Sequence, residues 1–481
     1  MKLKDVFILL LLTLGALLVH GYHPGAEDAE IYLPGIEKML HPALFPFGAQ
    51  FFQAHAHATL FPNLIAASIR ITHLHLDVAV FLWQLISIFL FLLAAWELSG
   101  RCFTDRKARW AGVTLLAALL TLPVAGTCLY ILDQYINPRN LSAFAALFAI
   151  VKVLDKKYVQ ATIFLAVAAA IHPLMAVFSL SYCILLIAME YFQPAVVGFA
   201  SLLPFGLDFA PPSPAYHQVA VLHPYHYLLR WQWYEWLGII APLGLLWWFS
   251  GVARRRQLRN LQRMCVALIL YQLVYLAGGV VLSSSPRFES LARLQPMRSL
   301  YLLYVLLFLF IGGLLGEYVL KNHVWRWLVF FVPLCAGMFV AQRALFPASA
   351  HIEWPGAAPR NPWVQAFDWV QKNTPTGAIF ALDPHHMDIA GEDENGFRAI
   401  AQRSRMADGV KDSGAVTMFP PNAEEWVRET QALSGWNHFG VRDFDQLQQQ
   451  FGVSWVVLQK PGVAGMNCPY QNSAVLVCRL D

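Results

Sequence analysis

Apolar runs long enough to approach a bilayer crossing recur about eleven times between residues 6 and 344, and few folds can absorb that pattern. In hydrocarbon every backbone donor and acceptor must be satisfied within its own segment, so such runs fold as helices. The spans fall near 6–20, 77–99, 110–131, 141–154, 158–171, 174–192, 195–209, 233–251, 264–283, 299–320 and 325–344. Several are shorter than the roughly 20 residues a perpendicular helix needs. The segment 57–72, with His55 and His57 at its start and Pro62, Asn63 and Arg70 within it, reads as an amphipathic surface helix. Charged residues make up 13% of the chain against 57% hydrophobic ones, which excludes an ordinary soluble domain. A net charge of +4 offers no footing for a nucleic-acid partner.

Lysine and arginine set the orientation. With the N-terminus cytoplasmic, the short inner turns (around 2–4, 101–109, 156–157, 254–263 and 321–326) hold about 15 positive charges. The outer loops hold about 7 over far more residues. This makes a multi-pass inner (plasma) membrane protein whose chain beyond residue 345 is extracytoplasmic. Lys2 and Lys4 before an apolar run could also mark a signal peptide, but no small-x-small site follows Val19-His20-Gly21-Tyr22.

The chain divides into a multi-span domain, 1–344, with an acidic first outer loop at 21–76, and a second domain, 345–481. In the second, Trp363, Ala366, Phe367 and Val370 repeat at helical spacing and Thr374-Pro375-Thr376-Gly377 stops the helix. Strands are expected at 378–382, 453–458 and 474–479, and helices near 422–432 and 443–451, giving a small α/β domain. Cys468 and Cys478 are the two tail cysteines, on the oxidising side, and are expected to form a disulfide. No residue set has metal-ligand spacing: His55/His57 and His73/His75 diverge on a helix, and His385-His386-Met387-Asp388 reads as a loop.

Chemistry concentrates on one side. The outer loops carry Glu27, Asp28, Glu30, Glu37, Asp133, Asp208 and Glu289, with His172 and several other histidines, and Arg139, Arg293 and Arg298. The inner turns show no comparable set. Carboxylates beside hydrocarbon are costly to hold, so the Glu27-Asp28 pair just past the first span is a site candidate. Each residue also has a plain alternative: an acid that solvates a loop or caps a helix, an arginine that anchors a helix end at the headgroups.

The layout resembles the GT-C superfamily, multi-span glycosyltransferases that use polyprenyl-phosphate-linked sugars. The matching pieces are the first span, the acidic element Ala26-Glu27-Asp28-Ala29-Glu30-Ile31-Tyr32-Leu33-Pro34, short spans with polar outer turns, and an extracytoplasmic C-terminal α/β domain. The tail elements Trp369-Val370-Gln371-Lys372-Asn373-Thr374-Pro375, Gly396-Phe397-Arg398 and Arg403-Ser404 are similar to those of bacterial membrane proteins of this type. The resemblance implies a GT-C-like fold of about eleven spans and a lipid-linked sugar donor as partner alongside membrane lipids. It implies Asp28 and Glu27 as catalytic acids, and Glu30, Asp133, Arg139, His172, Arg293 and Arg298 as substrate contacts. An acid near the acceptor hydroxyl serves as base, and an arginine fork meets the departing phosphate. No cofactor is called for, although a divalent metal is compatible with the acids. A flippase or transporter and a non-catalytic membrane protein are the competing classes; the near absence of charge at the span centres argues against coupled transport.

Overall fold

The computed structural model describes residues 2–191 and 212–480; the expected crossing at 195–209, with Asp208, lies outside the described residues. The first helix, α1 (Leu3–His20), leads into a loop that holds α2 (Ala29–Leu40), α3 (Gln50–Ala58) and α4 (Phe61–Thr72). Then come α5 (Leu76–Cys102) and α6 (Arg106–Ala118). The apolar run 110–131 is helical only as far as Ala118. Pro123 and Gly126, the latter at φ +64°, turn the rest into a hairpin, β1 (Pro123–Val124) with β2 (Leu129–Tyr130).

Asn137 starts α7 (Pro138–Leu154) by accepting a hydrogen bond from the Asn140 N–H, with Pro138 in the first turn, where its missing donor costs nothing. This alanine-rich helix sits among α5, α8 (Tyr158–Ile171) and α9 (Pro173–Tyr191). After the short α10 (Pro214–Val221), α11 (Trp233–Arg255), α12 (Arg259–Ser283), α13 (Leu300–Leu315) and α14 (Val324–Leu345) follow. Among the described residues seven helical stretches are long and apolar enough to cross a membrane: α1, α5, α9, α11, α12, the stretch that contains α13, and α14. Expected spans at α6, α7 and α8 form helices of only 13, 17 and 14 residues.

Ion pairs sort the helix ends. Arg101 bonds Asp155 at 3.0 Å and also Glu97, Arg263 bonds Glu190 at 2.7 Å, and Asp5 pairs with Arg106. The lysine- and arginine-rich turns therefore gather at one end of the bundle. At the other end the first loop meets the C-terminal region.

That region comprises α15 (Pro362–Asn373), β3 (Ile379–Ala381), α16 (Phe397–Ala401), β4 (Ser404–Arg405), α17 (Lys411–Met418), α18 (Ala423–Ala432), α19 (Val441–Phe451), β5 (Trp455–Gln459), β6 (Asn467–Gln471) and β7 (Val475–Arg479). Its sheet runs β4-β3-β5-β7-β6, with β3 parallel to β4 and β5, and β7 antiparallel to β5 and β6. Successive side chains of β5 alternate between two cores, as a strand of period two must. Trp455 and Val457 pack with Trp363, Phe367 and Val370 of α15, while Val456 and Leu458 pack with Phe444 and Leu447 of α19. Cys468 on edge strand β6 is disulfide-bonded to Cys478 on β7.

Candidate functional site

The first loop is stitched to the C-terminal region by backbone pairing. Tyr22 bridges Ile352, and Ala26 bridges Asn395. The Glu27 N–H donates to the Glu394 carbonyl at 2.8 Å, and the Gly396 N–H to the Gly25 carbonyl at 2.8 Å. Close approach demands glycine at 396, because a Cβ there would meet the Glu30 Oε2 at 2.6 Å. Glu27 itself sits at φ +57°, a left-handed conformation that costs a side-chain-bearing residue about 1–2 kcal/mol. The pairing around it holds this conformation in place.

From this anchored turn the acids diverge. Glu30, in the first turn of α2, is fully buried. Its Oε2 accepts from the backbone N–H groups of Arg398 (2.7 Å) and Ala399 (3.2 Å), and its Oε1 from Arg398 Nη1 (3.2 Å). The Arg398 guanidinium also grips Asp412 through two parallel bonds of 2.9 and 2.8 Å. Arg405, Asp408 and His386 complete a cluster with no exposed side chain. Burial raises the Glu30 carboxyl to about 7 against the pull of Arg398 and Arg405. Glu30 was expected among substrate contacts; its enclosure instead makes it the rivet between the first loop and the C-terminal region.

Glu27 and Asp28 face the other way. Lys411 forms an ion pair with Glu27 and stands 3.5 Å from Asp28 Oδ1. Burial works to raise the Glu27 carboxyl, but the Lys411 charge and hydrogen bonds from Glu394 and Lys411 outweigh it, so Glu27 stays ionised. Glu394, raised chiefly by burial and then by its bond to Glu27 and that group's charge, keeps its proton. Asp28 retains 38% exposure of its side chain and receives no side-chain hydrogen bond among the described residues. Its N–H donates to the Tyr135 hydroxyl at 3.1 Å.

Asp28 and Arg298 act on a common set of side chains. Tyr32, His55 and Tyr225 each feel the charges of both Asp28 and Arg298, and His172 feels Arg139, Arg298 and His55. Burial lowers the His55 imidazole to about 4, with Asp28 opposing and Arg298 assisting, so the ring is neutral. His172 Nδ1 accepts from the Met175 N–H at 3.3 Å, capping α9 after the break at Pro173. Arg298, on a 3-10 turn (Pro296–Ser299), has no ion-pair partner among the described residues. Its Nε, like the His55 Nδ1, is buried without a hydrogen bond. Buried polar atoms are nearly always partnered, and these two orphans belong to groups that the charges of Asp28 and Arg298 link through His55.

Three expected contacts behave differently. Asp133 and Arg139 form a buried ion pair with each other, and Asn137 joins it at 2.5 Å. The charge of Arg293 acts on Tyr216 of α10. Lys411, Glu394 and Tyr225 were not anticipated as members of the cleft. Among the described residues no group of three or more His, Cys, Asp or Glu is arranged to hold a metal ion. In the tail loop His386 is spent on Asn395 and Arg405, and His385 on Asp388.

No family model and no curated protein matches the chain. Among solved structures it is similar to the archaeal oligosaccharyltransferase AglB from Archaeoglobus fulgidus, in complex with an inhibitory peptide and a dolichol-phosphate. The identity is 12%, the match covers 95% of this chain and 69% of that chain, and the TM-score is 0.44.

Proposed function

We propose that this protein transfers a sugar from a polyprenyl-phosphate-linked donor to an acceptor on the extracytoplasmic face of a bacterial inner membrane. Residues 1–344 would form the membrane domain and 345–481 the extracytoplasmic α/β domain, with lipids covering the exposed apolar faces of α1, α11 and α14. The reading rests on one observation: Asp28, partly open to solvent, and Arg298, without an ion-pair partner among the described residues, act electrostatically on the same neutral imidazole, His55.

The chemistry assigns itself to these groups. An acceptor hydroxyl attacks the anomeric carbon as the bond from that carbon to the phosphate oxygen breaks. Asp28 takes the hydroxyl proton, and the phosphate leaves with the bonding electron pair. Arg298 meets the charge that grows on the phosphate, its planar donors matching two oxygens at once. Glu27 is the weaker base candidate, because Lys411 and Glu394 already engage its carboxylate. Arg139, neutralised by Asp133, shapes the wall behind His172.

The test uses the purified full chain with a panel of polyprenyl-phosphate monosaccharides and a sugar-transfer readout. Asp28→Asn should lower turnover by about 10²–10⁴-fold, the range of a lost acid–base group, at an unchanged melting temperature. Full turnover in that variant rejects the assignment.

A further inference from the structure

Carboxylates that face a phosphate-bearing substrate need a cation, and there are two ways to supply one. A divalent ion can bridge acid and phosphate, as magnesium commonly does with one or two carboxylates. Alternatively the chain can provide its own. Here the position between the first-loop acids is filled by Lys411, reaching from a residue 384 positions away to pair with Glu27, 3.5 Å from Asp28 Oδ1.

The lysine is aimed. Asp408 Oδ1 accepts from the backbone N–H groups of Val410 (2.8 Å) and Lys411 (2.5 Å), capping the start of α17 and fixing the direction in which the lysine leaves it. Asp408 lies 4.0 Å from both Arg398 and Arg405, and the next residue of the helix, Asp412, is clasped by Arg398. The buried cluster that rivets the two regions thus also sets the ammonium over the acidic pair. Glu394 closes the third side, sharing its proton with Glu27. A metal ion would find the Glu27 and Asp28 carboxylates already drawn to an ammonium and would be repelled by it at contact distance.

We infer that Lys411 is a positioning residue that serves as the built-in counter-cation of Glu27 and Asp28, so that this centre is closed to divalent metal. The inference rests on the transfer reading for its purpose, but its test needs no turnover and stands or falls separately.

Mn²⁺ binding to the detergent-solubilised full chain, read by electron paramagnetic resonance and by the melting temperature, provides that test. The wild-type protein should bind no Mn²⁺ at this site, and metal should leave its melting unchanged. Lys411→Ala, with Glu27 and Asp28 left uncompensated, should bind an equivalent of Mn²⁺ and melt higher in its presence. Adding Glu27→Gln to Lys411→Ala should abolish that binding. Lys411→Arg, which restores the positive charge, should again exclude the metal, a rescue that a merely structural lysine would not show; its folding also controls for loss of structure in the alanine variant. Mn²⁺ bound by the wild-type protein and lost in Glu27→Gln overturns the inference. So does the absence of Mn²⁺ binding in a folded Lys411→Ala variant.

Discussion

Asp28 and Glu30 stand two residues apart and head two ionic regions of opposite design. Around Glu30, two guanidiniums and three carboxylates lie wholly out of solvent, bonded to one another and to backbone N–H groups. Around Asp28 the pairing is looser: an acid partly open to solvent and 3.5 Å from Lys411, an arginine without an ionic partner among the described residues, a neutral histidine with an orphaned nitrogen. The first region has spent its electrostatics on holding the first loop against the C-terminal region. The second keeps its electrostatics unspent. Each guanidinium and carboxylate of the cluster already has an ionic partner, so the proposed transfer draws on the groups whose ionic pairing is incomplete.

The largest effect that would break this contrast is structural. Arg398→Met leaves Glu30, Asp408 and Asp412 buried with Arg405 as their remaining guanidinium. Removing one partner from a buried ionic group costs about 3–5 kcal/mol, since the charges left behind stay unhydrated. The expected outcome is a lower melting temperature and rapid proteolysis of the region after residue 345. A variant as stable as the wild type would mean that the cluster holds nothing together.

Arg298→Met should do the reverse. Among the described residues its guanidinium forms no ion pair and its Nε no hydrogen bond, so stability should change by less than about 0.5 kcal/mol, as for substitutions away from bonded features. If Arg298 receives the donor phosphate, losing charge-assisted bonds worth about 1.5–3 kcal/mol lowers kcat/KM by roughly 10- to 150-fold. Arg293→Met is the matched control, since that charge acts on Tyr216. Equal losses in both variants would point to a general basic surface and would erase the distinction between open cleft and closed cluster.

What the sequence discloses follows the range of the interactions. α8 falls at 158–171 as expected, because its apolar run ends at lysines on one side and at His172-Pro173 on the other. The run 110–131 misleads because Leu119, Leu120, Val124, Leu129 and Ile131 are as buried beyond the helix as within it. Hydropathy reports burial, and here burial continues through a hairpin whose Pro123 and Gly126 were the only local signal. The acidic pair, His172 and Arg298 are legible as types in the loops expected on the outer side. The partners that decide which acid stays open are not. Lys411 reaches Glu27 across 384 residues, and Arg398 reaches Glu30 across 368, separations at which one sequence carries no pairing signal. The Asp133–Arg139 pair spans six residues, yet substrate contact and mutual neutralisation look alike until the side chains are placed.

The smallest effect separates the regions by their response to acid. In the closed cluster, burial and then the charge of Arg405 lower the His386 imidazole to about 3. Between its ordinary pKa and that value the unfolded chain binds a proton that the folded one refuses. This group's contribution is therefore complete above pH 6.5 or so and drains away as pH falls. Glu30 acts with the opposite sign: raised to about 7 by burial, it is protonated in the folded state while still ionised in the unfolded one. Its contribution is present below its ordinary pKa and is lost as pH rises through about 7. In the wild-type protein the two slopes oppose each other across mildly acidic pH. His386→Gln removes one of them and leaves the other. The variant should melt below the wild type at neutral pH, where the ring's bonds to Arg405 and Asn395 are missed, and should close that gap as the pH is lowered toward about 5. A melting difference that stays constant with pH would show that His386 is not held neutral, and the cluster would then be less enclosed than its contrast with the Asp28 cleft requires.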